Sequence, residues 1–140
     1  MKYLLDTCLL SELIKSTPDA HVLHWFEARK PHELYVSAMT WAELQRGISR
    51  LPESRRRSEL ETWLLQLEAG FENRILAFDK DVAQVWALMM VQAEAQGKPM
   101  AAVDSIIAAI AKAHGCTLVT RNVRDFAYAG VEALNPWVGG

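Results

Sequence analysis

Four acids in this sequence have surroundings or spacing suited to metal-assisted chemistry: Asp6, Glu43, Asp104 and Asp125. Asp104 is the most informative. It lies in Met100 to Ala111, MAAVDSIIAAIA, where it and Ser105 are the only polar residues. A carboxylate set in such an apolar surface is costly unless a cation or hydrogen-bond donors meet it. Two readings stand on this residue alone. Asp104 caps a helix from Ser105 to His114 stopped by Gly115, or it holds something positive. The other acids have plain structural readings too: Asp6 as the cap of a first helix, Glu43 as a solvated helix residue, Asp125 as a turn acid. Crowded carboxylates raise one another's pKa unless a cation joins them. Oxygen ligands without neighbouring His or Cys select a hard ion, Mg2+ or Mn2+ rather than zinc. Such ions bridge phosphate oxygens and activate water, so phosphodiester hydrolysis is the chemistry that suits the set.

Whether the acids form a set depends on the elements that carry them. Short apolar runs at Tyr3–Leu5, Leu34–Val36, Ile75–Phe78, Thr117–Thr120 and Val131–Leu134 read as strands. Helical spacing of apolar residues predicts helices over Cys8–Lys15, from Pro18 and Asp19 onward, over Thr40–Leu51, from Pro52 to about Gly70, and over Asp81–Gln96, followed by the Asp104 helix. The alternation predicts an α/β fold, a mostly parallel central sheet of about five short strands flanked by helices on both sides. No repeat, low-complexity segment or linker interrupts it, so residues 1–140 read as one domain. Ligands of open α/β sheets bind beyond the carboxyl ends of the strands. Asp6 and Thr7 follow the first strand. Ser37, Thr40 and Glu43 follow the second. Thr120, Asn122 and Asp125 end or follow the fourth, and Asp104 opens the helix that feeds it. Four acids are thereby predicted at one end of the sheet. Gly47, one turn after Glu43, costs a helix about 1 kcal/mol against Ala and predicts close approach of another backbone to that face.

The bulk composition sets the limits. Half of the 140 residues are hydrophobic and the formal charge is −2, which describes a globular chain and excludes a global electrostatic case for nucleic-acid binding. Any such surface is a local patch. The apolar run within Met1 to Asp6 is too short for a secretory leader, and no stretch has the length to span a bilayer. The two cysteines, Cys8 and Cys116, are far apart and fit free thiols in a reducing cytoplasm.

Four segments together resemble the PIN-domain ribonucleases of the VapC toxin type: Leu4–Thr7 (LLDT), Val36–Leu44 (VSAMTWAEL), Asp104–Ala109 (DSIIAA) and Thr117–Phe126 (TLVTRNVRDF). Each is weak alone, but together and in this order they span almost the whole chain. The closing Leu134–Trp137 (LNPW) is similar to the FitB-like branch of that family. The resemblance implies a PIN-like fold and an endoribonuclease toxin that uses Mg2+, with Mn2+ as a substitute, to have activated water hydrolyse an RNA phosphodiester, with tRNA as the candidate substrate. By matching position, Asp6 and Asp104 become the core metal ligands, Glu43 and Asp125 complete the catalytic quartet, and Thr7, Thr120 and Asn122 position the carboxylates or the substrate. It further implies a cytoplasmic homodimer held inactive by a cognate VapB-type antitoxin, meeting DNA only through that partner and meeting no membrane. The chain departs from the family at Cys8, where Asn or Ser is frequent, and at Ile110, where Thr is frequent. In some relatives the fourth acid falls at the position of Asn122, so Asn122 and Asp125 both remain open for that place.

The basic run Arg55–Arg57 reads as a solvated face balanced by Glu53, Glu59 and Glu61. Lys15, Arg46 and Arg50 lie nearer the predicted site and are better candidates for phosphate contact. Trp41, Trp63, Leu64 and Leu67 read as core, with a groove for a partner helix as the alternative. His21, His24, His32 and His114 have no ligand-like spacing. Two other functions compete with the nuclease. One is a phosphatase with Asp6 as nucleophile, against which stand Cys8 two residues on and the lack of a Gly-rich phosphate cradle. The other is a non-catalytic or weakly catalytic PIN partner of a DNA-binding antitoxin, acting as a regulatory complex.

Overall fold

The computed structural model describes residues 1–138. Strand β1 (Tyr3–Leu5) is followed by α1 (Thr7–Leu13) and α2 (Ala20–Glu27), β2 (Leu34–Ser37), α3 (Ala38–Ser49), α4 (Arg55–Phe71) and β3 (Ile75–Leu76). Then come α5 (Lys80–Ala95), α6 (Ala102–His114), β4 (Thr117–Val119), a 3-10 turn at Val123–Phe126, and β5 (Ala133–Leu134). The five strands form one sheet in the order β3-β2-β1-β4-β5, and every pairing is parallel. Parallel neighbours need crossovers, and the helices supply most of them. β1 is the middle strand. Its Leu5 is level with Val36 of β2 and Val119 of β4, so the carboxyl ends of three strands finish side by side.

Both faces of the sheet are buried, as short all-apolar strands require. Side chains of β1 alternate between two cores. Tyr3 and Leu5 face one that includes Leu9, Val22, Leu44, Ile48 and Leu64, from α1 to α4. Leu4 faces the other, with Val82 and Met89 of α5 and Ile107 to Ala111 of α6. Each fully buried Leu or Ile there stabilises the fold by roughly 1.5–3 kcal/mol. Helix α6 has five consecutive buried residues, so its apolar surface extends all round.

Several sequence expectations shift at their boundaries. β3 stops at Leu76 rather than Phe78, because Asp79 caps α5 through Val82 N–H and Phe78 is left exposed. β5 is only Ala133–Leu134, beginning after Gly130, whose φ of +71° turns the chain. α4 starts at Arg55 and not at Pro52, with Ser54 as its cap. Both cysteines are free thiols. Among the described residues no helix is long and apolar enough to cross a membrane.

Candidate active site

Asp6 is fixed from two sides. Its backbone N–H donates to Val119 O at 3.0 Å, which extends the β1–β4 pairing by one residue. The chain then turns into α1 with Asp6 at the N-cap, where Oδ1 accepts the Thr7 N–H at 2.9 Å. The capping role therefore holds, and it occupies one oxygen. The other, Oδ2, accepts the Thr120 hydroxyl at 2.8 Å and lies 3.6 Å from the Cys8 thiol. Thr120 is fully buried, and its Oγ1 also accepts the Asn122 N–H at 3.1 Å. One hydroxyl thus joins the end of β1 to the turn after β4.

Glu43 projects from α3, whose start is set by Ser37. The Ser37 Oγ accepts the Thr40 N–H at 2.9 Å and donates to Thr40 Oγ1 at 3.1 Å. Both hydroxyls are completely buried and engaged with each other, so Ser37 and Thr40 position the helix. Glu43 Oε1 accepts the Thr7 hydroxyl at 2.5 Å, which ties α3 to the first residue of α1.

Asp104 is not the cap of its helix. α6 begins at Ala102, Ala101 is the N-cap without a side-chain bond, and Asp104 is the third helical residue. The reason lies in its neighbour. Ser105 Oγ donates to Ala102 O at 2.6 Å and accepts Trp86 Nε1–H at 2.9 Å, anchoring the first turn of α6 to α5. Ala102, a strong helix former, continues that turn backward to its extended cap at Ala101. The Asp104 carboxylate makes no hydrogen bond among the described residues, so it does not satisfy the first N–H groups of its own helix.

Asp125 lies in the 3-10 turn after β4, exposed, above the buried Phe126 that anchors the turn. Asp6, Glu43 and Asp125 all lie within electrostatic reach of Asp104. Burial first, then the negative charges of Asp125, Asp6 and Glu43, push the Asp104 carboxyl above the usual carboxylate range. Asn122 contributes its backbone N–H, but its side chain makes no hydrogen bond among the described residues. Of the two groups open for the fourth place, Asp125 is the like charge that Asp104 feels most strongly.

Among the described residues no protein cation forms an ion pair with these acids. Among the described residues the ion pairs are Lys15–Glu12, His21–Asp19, Arg55–Glu59 and Arg57–Glu61, and none includes a member of the quartet. Arg55 and Arg57 are thus paired along their own helix, as a solvated face would be. Arg46 and Arg50 are exposed and unpaired among the described residues. Trp41, Trp63 and Leu67 are half-buried against the first core and Leu64 is buried in it. The Gly47 expectation fails: a side-chain carbon placed there would meet nothing within 4 Å. Instead of admitting a backbone, Gly47 opens a cavity of about 190 Å³ between Thr7, Glu43 and Trp63. Glycine for close approach and glycine for empty space look alike in sequence.

Two contributors were missed or undervalued by sequence reading. Cys8 was given no part in the site, only a place as a free thiol and a departure from the family pattern. Its Sγ accepts the Arg121 N–H at 3.4 Å and lies 3.7 Å from Thr120 Oγ1, so it is part of the same network as Asp6. Its place two residues after Asp6, in the first turn of α1, was the available signal. Glu12 is a buried acid whose carboxylate accepts the Asp19 N–H at 2.9 Å and pairs with Lys15, holding the α1–α2 connection. Nothing in its spacing separated it from a surface glutamate.

The residues present fit a hard divalent cation. Among the described residues no three His, Cys, Asp or Glu side chains are close enough to enclose an ion by themselves. That excludes a preformed cage of the structural zinc type. Mg2+, by contrast, retains several waters and takes one or two carboxylates together with substrate phosphates. An open, all-oxygen group of four acids that form no ion pair among the described residues matches that requirement.

The PIN domain family description matches residues 3–131 of this chain. The chain is 42% identical to a VapC ribonuclease, Y4jK, of Sinorhizobium fredii, covering 95% of this chain and 96% of that protein. It is 38% identical to Toxin FitB of Neisseria gonorrhoeae, covering 96% and 97%. It is 30% identical to a tRNA(fMet)-specific endonuclease VapC of Shigella flexneri, covering 98% of both chains. A solved structure of FitAB bound to an IR36 DNA fragment superposes with a TM-score of 0.94 at 35% identity, covering 99% of this chain and 97% of that one.

Proposed function

We infer from the premise that this chain belongs to the PIN-domain family, among the VapC ribonuclease toxins of toxin–antitoxin systems, that it is an Mg2+-dependent endoribonuclease whose site is Asp6, Glu43, Asp104 and Asp125. The observation that carries this reading is the state of Asp104. Its carboxylate is half-buried, lacks a hydrogen bond or ion pair among the described residues, and faces three other acids. A bound cation would relieve the burial and like-charge repulsion of a group so placed.

Asp6 and Asp104 would hold the ion, with Glu43 and Asp125 completing its surroundings directly or through water; Mn2+ suits the same oxygens. When bound, such an ion lowers the pKa of water and neutralises charge on a phosphodiester. The protein's own part is orientation. Thr120 fixes the rotamer of Asp6 with its 2.8 Å bond, and Thr7 does the same for Glu43. Asn122, beside Thr120, faces solvent where substrate would pass. Prepaid orientation of this kind is worth much of a reaction barrier.

RNA is the proposed substrate, and tRNA the proposed class within it, supported by the Shigella relative's name. A cognate VapB-type antitoxin is the proposed inhibitor and the proposed link to DNA. A homodimer in the cytoplasm is the proposed setting. The test is cleavage of folded tRNA by the purified protein with Mg2+, with EDTA, and with Asp104→Asn. Cleavage that needs the metal and is lost in the variant supports the reading; equal cleavage by the Asn variant sinks it. The second reading, a non-catalytic partner of a DNA-binding protein, predicts no cleavage under any of these conditions.

A further inference from the structure

Beside the acids, on the far side of Asp125, lies a cavity of about 310 Å³. One wall is the α5–α6 connection, with Lys98, Pro99 and Met100, and the other is the turn after β4, with Arg124, Asp125 and Tyr128. Asp125 belongs both to the quartet and to this cavity, so the cavity borders the acids. Tyr128 is 47% exposed, whereas among the described residues every other aromatic except Phe78 is buried or only partly exposed. The Lys98 ammonium lies 5.6 Å from the centre of that ring. Lys98 and Arg124 are exposed, and neither pairs with a carboxylate among the described residues. In a chain of net charge −2, two unpaired cations flanking an exposed ring form a local patch opposite in character to the acids beside it.

We propose that this cavity is a nucleotide subsite that receives the base next to the scissile phosphate, stacked on Tyr128, with Lys98 and Arg124 meeting the flanking phosphate. The proposal rests on the ribonuclease reading and specifies how the strand is held. Single-stranded nucleic acid is bound by cationic grooves that track the backbone and aromatic faces that stack bases. RNA is read mainly through such unstacked bases in loops. The volume is at the lower end for small-molecule sites, which suits one base rather than a duplex. Lys98 already covers the ring by a cation–π contact, so an entering base takes its place on that face while the ammonium moves to phosphate. A phosphate inside the cavity would face Asp125, so the base enters and the phosphates stay at the rim. The acids then act on a phosphodiester whose neighbouring base is anchored.

Two measurements separate this subsite from the ribonuclease reading. The first uses a non-cleavable 2′-O-methyl oligoribonucleotide carrying 5-iodouracil, photocrosslinked to the protein and located by peptide mapping. The expected adduct is on Tyr128; adducts formed only elsewhere overturn the subsite. The second compares kinetics on a tRNA anticodon stem-loop. Tyr128→Ala should raise KM by about tenfold or more with kcat nearly unchanged, and Tyr128→Trp should restore it, since stacking contributes to binding rather than to chemistry. Lys98→Ala and Arg124→Ala should weaken binding and each reduce its salt dependence by about one ion. If Tyr128→Ala cleaves and binds as the parent does, the cavity is not a base subsite and is left for a protein partner. Loss of cleavage by Asp104→Asn together with that result would retain the ribonuclease and reject the subsite. Circular dichroism of each variant checks that the exposed substitutions leave the fold intact.

Discussion

The hydroxyl of Thr120 donates to Asp6 Oδ2 at 2.8 Å, joining two residues 114 positions apart at the ends of neighbouring strands. Thr120→Val keeps the shape of the side chain and removes the donor. A buried carboxylate oxygen then loses a partner, which costs about 1–3 kcal/mol. The expected result is a lower midpoint in urea with an unchanged slope, and a fall in kcat larger than the change in KM. A variant as stable as the parent would mean that the bond contributes nothing net.

Asp104 gives a pH dependence whose sign is fixed. Burial and three like charges raise its folded-state pKa above the unfolded value. Its favourable contribution is therefore complete below the ordinary Asp range and is lost as pH rises through the raised value. Without divalent cation, Asp104→Asn should melt higher than the parent at neutral pH, and the difference should vanish in acid. Mg2+ should raise the melting temperature of the parent and have little effect on the variant. Equal melting curves at neutral pH in EDTA would contradict the electrostatic account.

Cys8 should react slowly. Burial, opposed by the Arg121 N–H and assisted by the charge of Asp6, holds its thiol above the usual cysteine range. The thiolate is the reactive form, so alkylation by iodoacetamide at pH 7.5, an assay value within the ordinary neutral range of about 7–8, should be slower than for a free cysteine. Cys8→Ser should retain cleavage, because a hydroxyl can accept the same N–H. Rapid labelling at neutral pH would show that the thiol is less enclosed than described.

Ser105 holds the helix that carries Asp104. Replacing it with Ala leaves Trp86 Nε1–H without its 2.9 Å partner and unpins the first turn of α6. The expected loss is about 1–3 kcal/mol of stability, read from chemical denaturation, with reduced Mg2+ affinity as the functional signature. Stability loss with unaltered Mg2+ response would confine Ser105 to packing.

The strand-ending acids were legible because an all-apolar triplet followed by Asp6 and Thr7 reads as a buried strand ending in polar residues. The same argument reached Thr120. Asp104 was legible as an anomaly of composition but not as a third helical residue, because the start of α6 is set by a bond to Trp86, nineteen residues earlier. Asp125 sits in a 3-10 turn, where no period marks a face. Gly47 was misread since sequence cannot tell a crowded glycine from one bordering a void. The Lys98–Tyr128 patch was invisible for a related reason: its two walls are thirty residues apart and meet only through the packing of α5, α6 and the final turn.

The pairing of β1 with β4 also bears on synthesis. Residues 3–5 are made long before residues 117–119, their partner on one side, and Asp6 gains its Thr120 contact only after those. The nascent chain therefore has the first carboxylate long before it has the others in place. The proposed site cannot assemble before residue 125 has been made, so an order of synthesis is built into it.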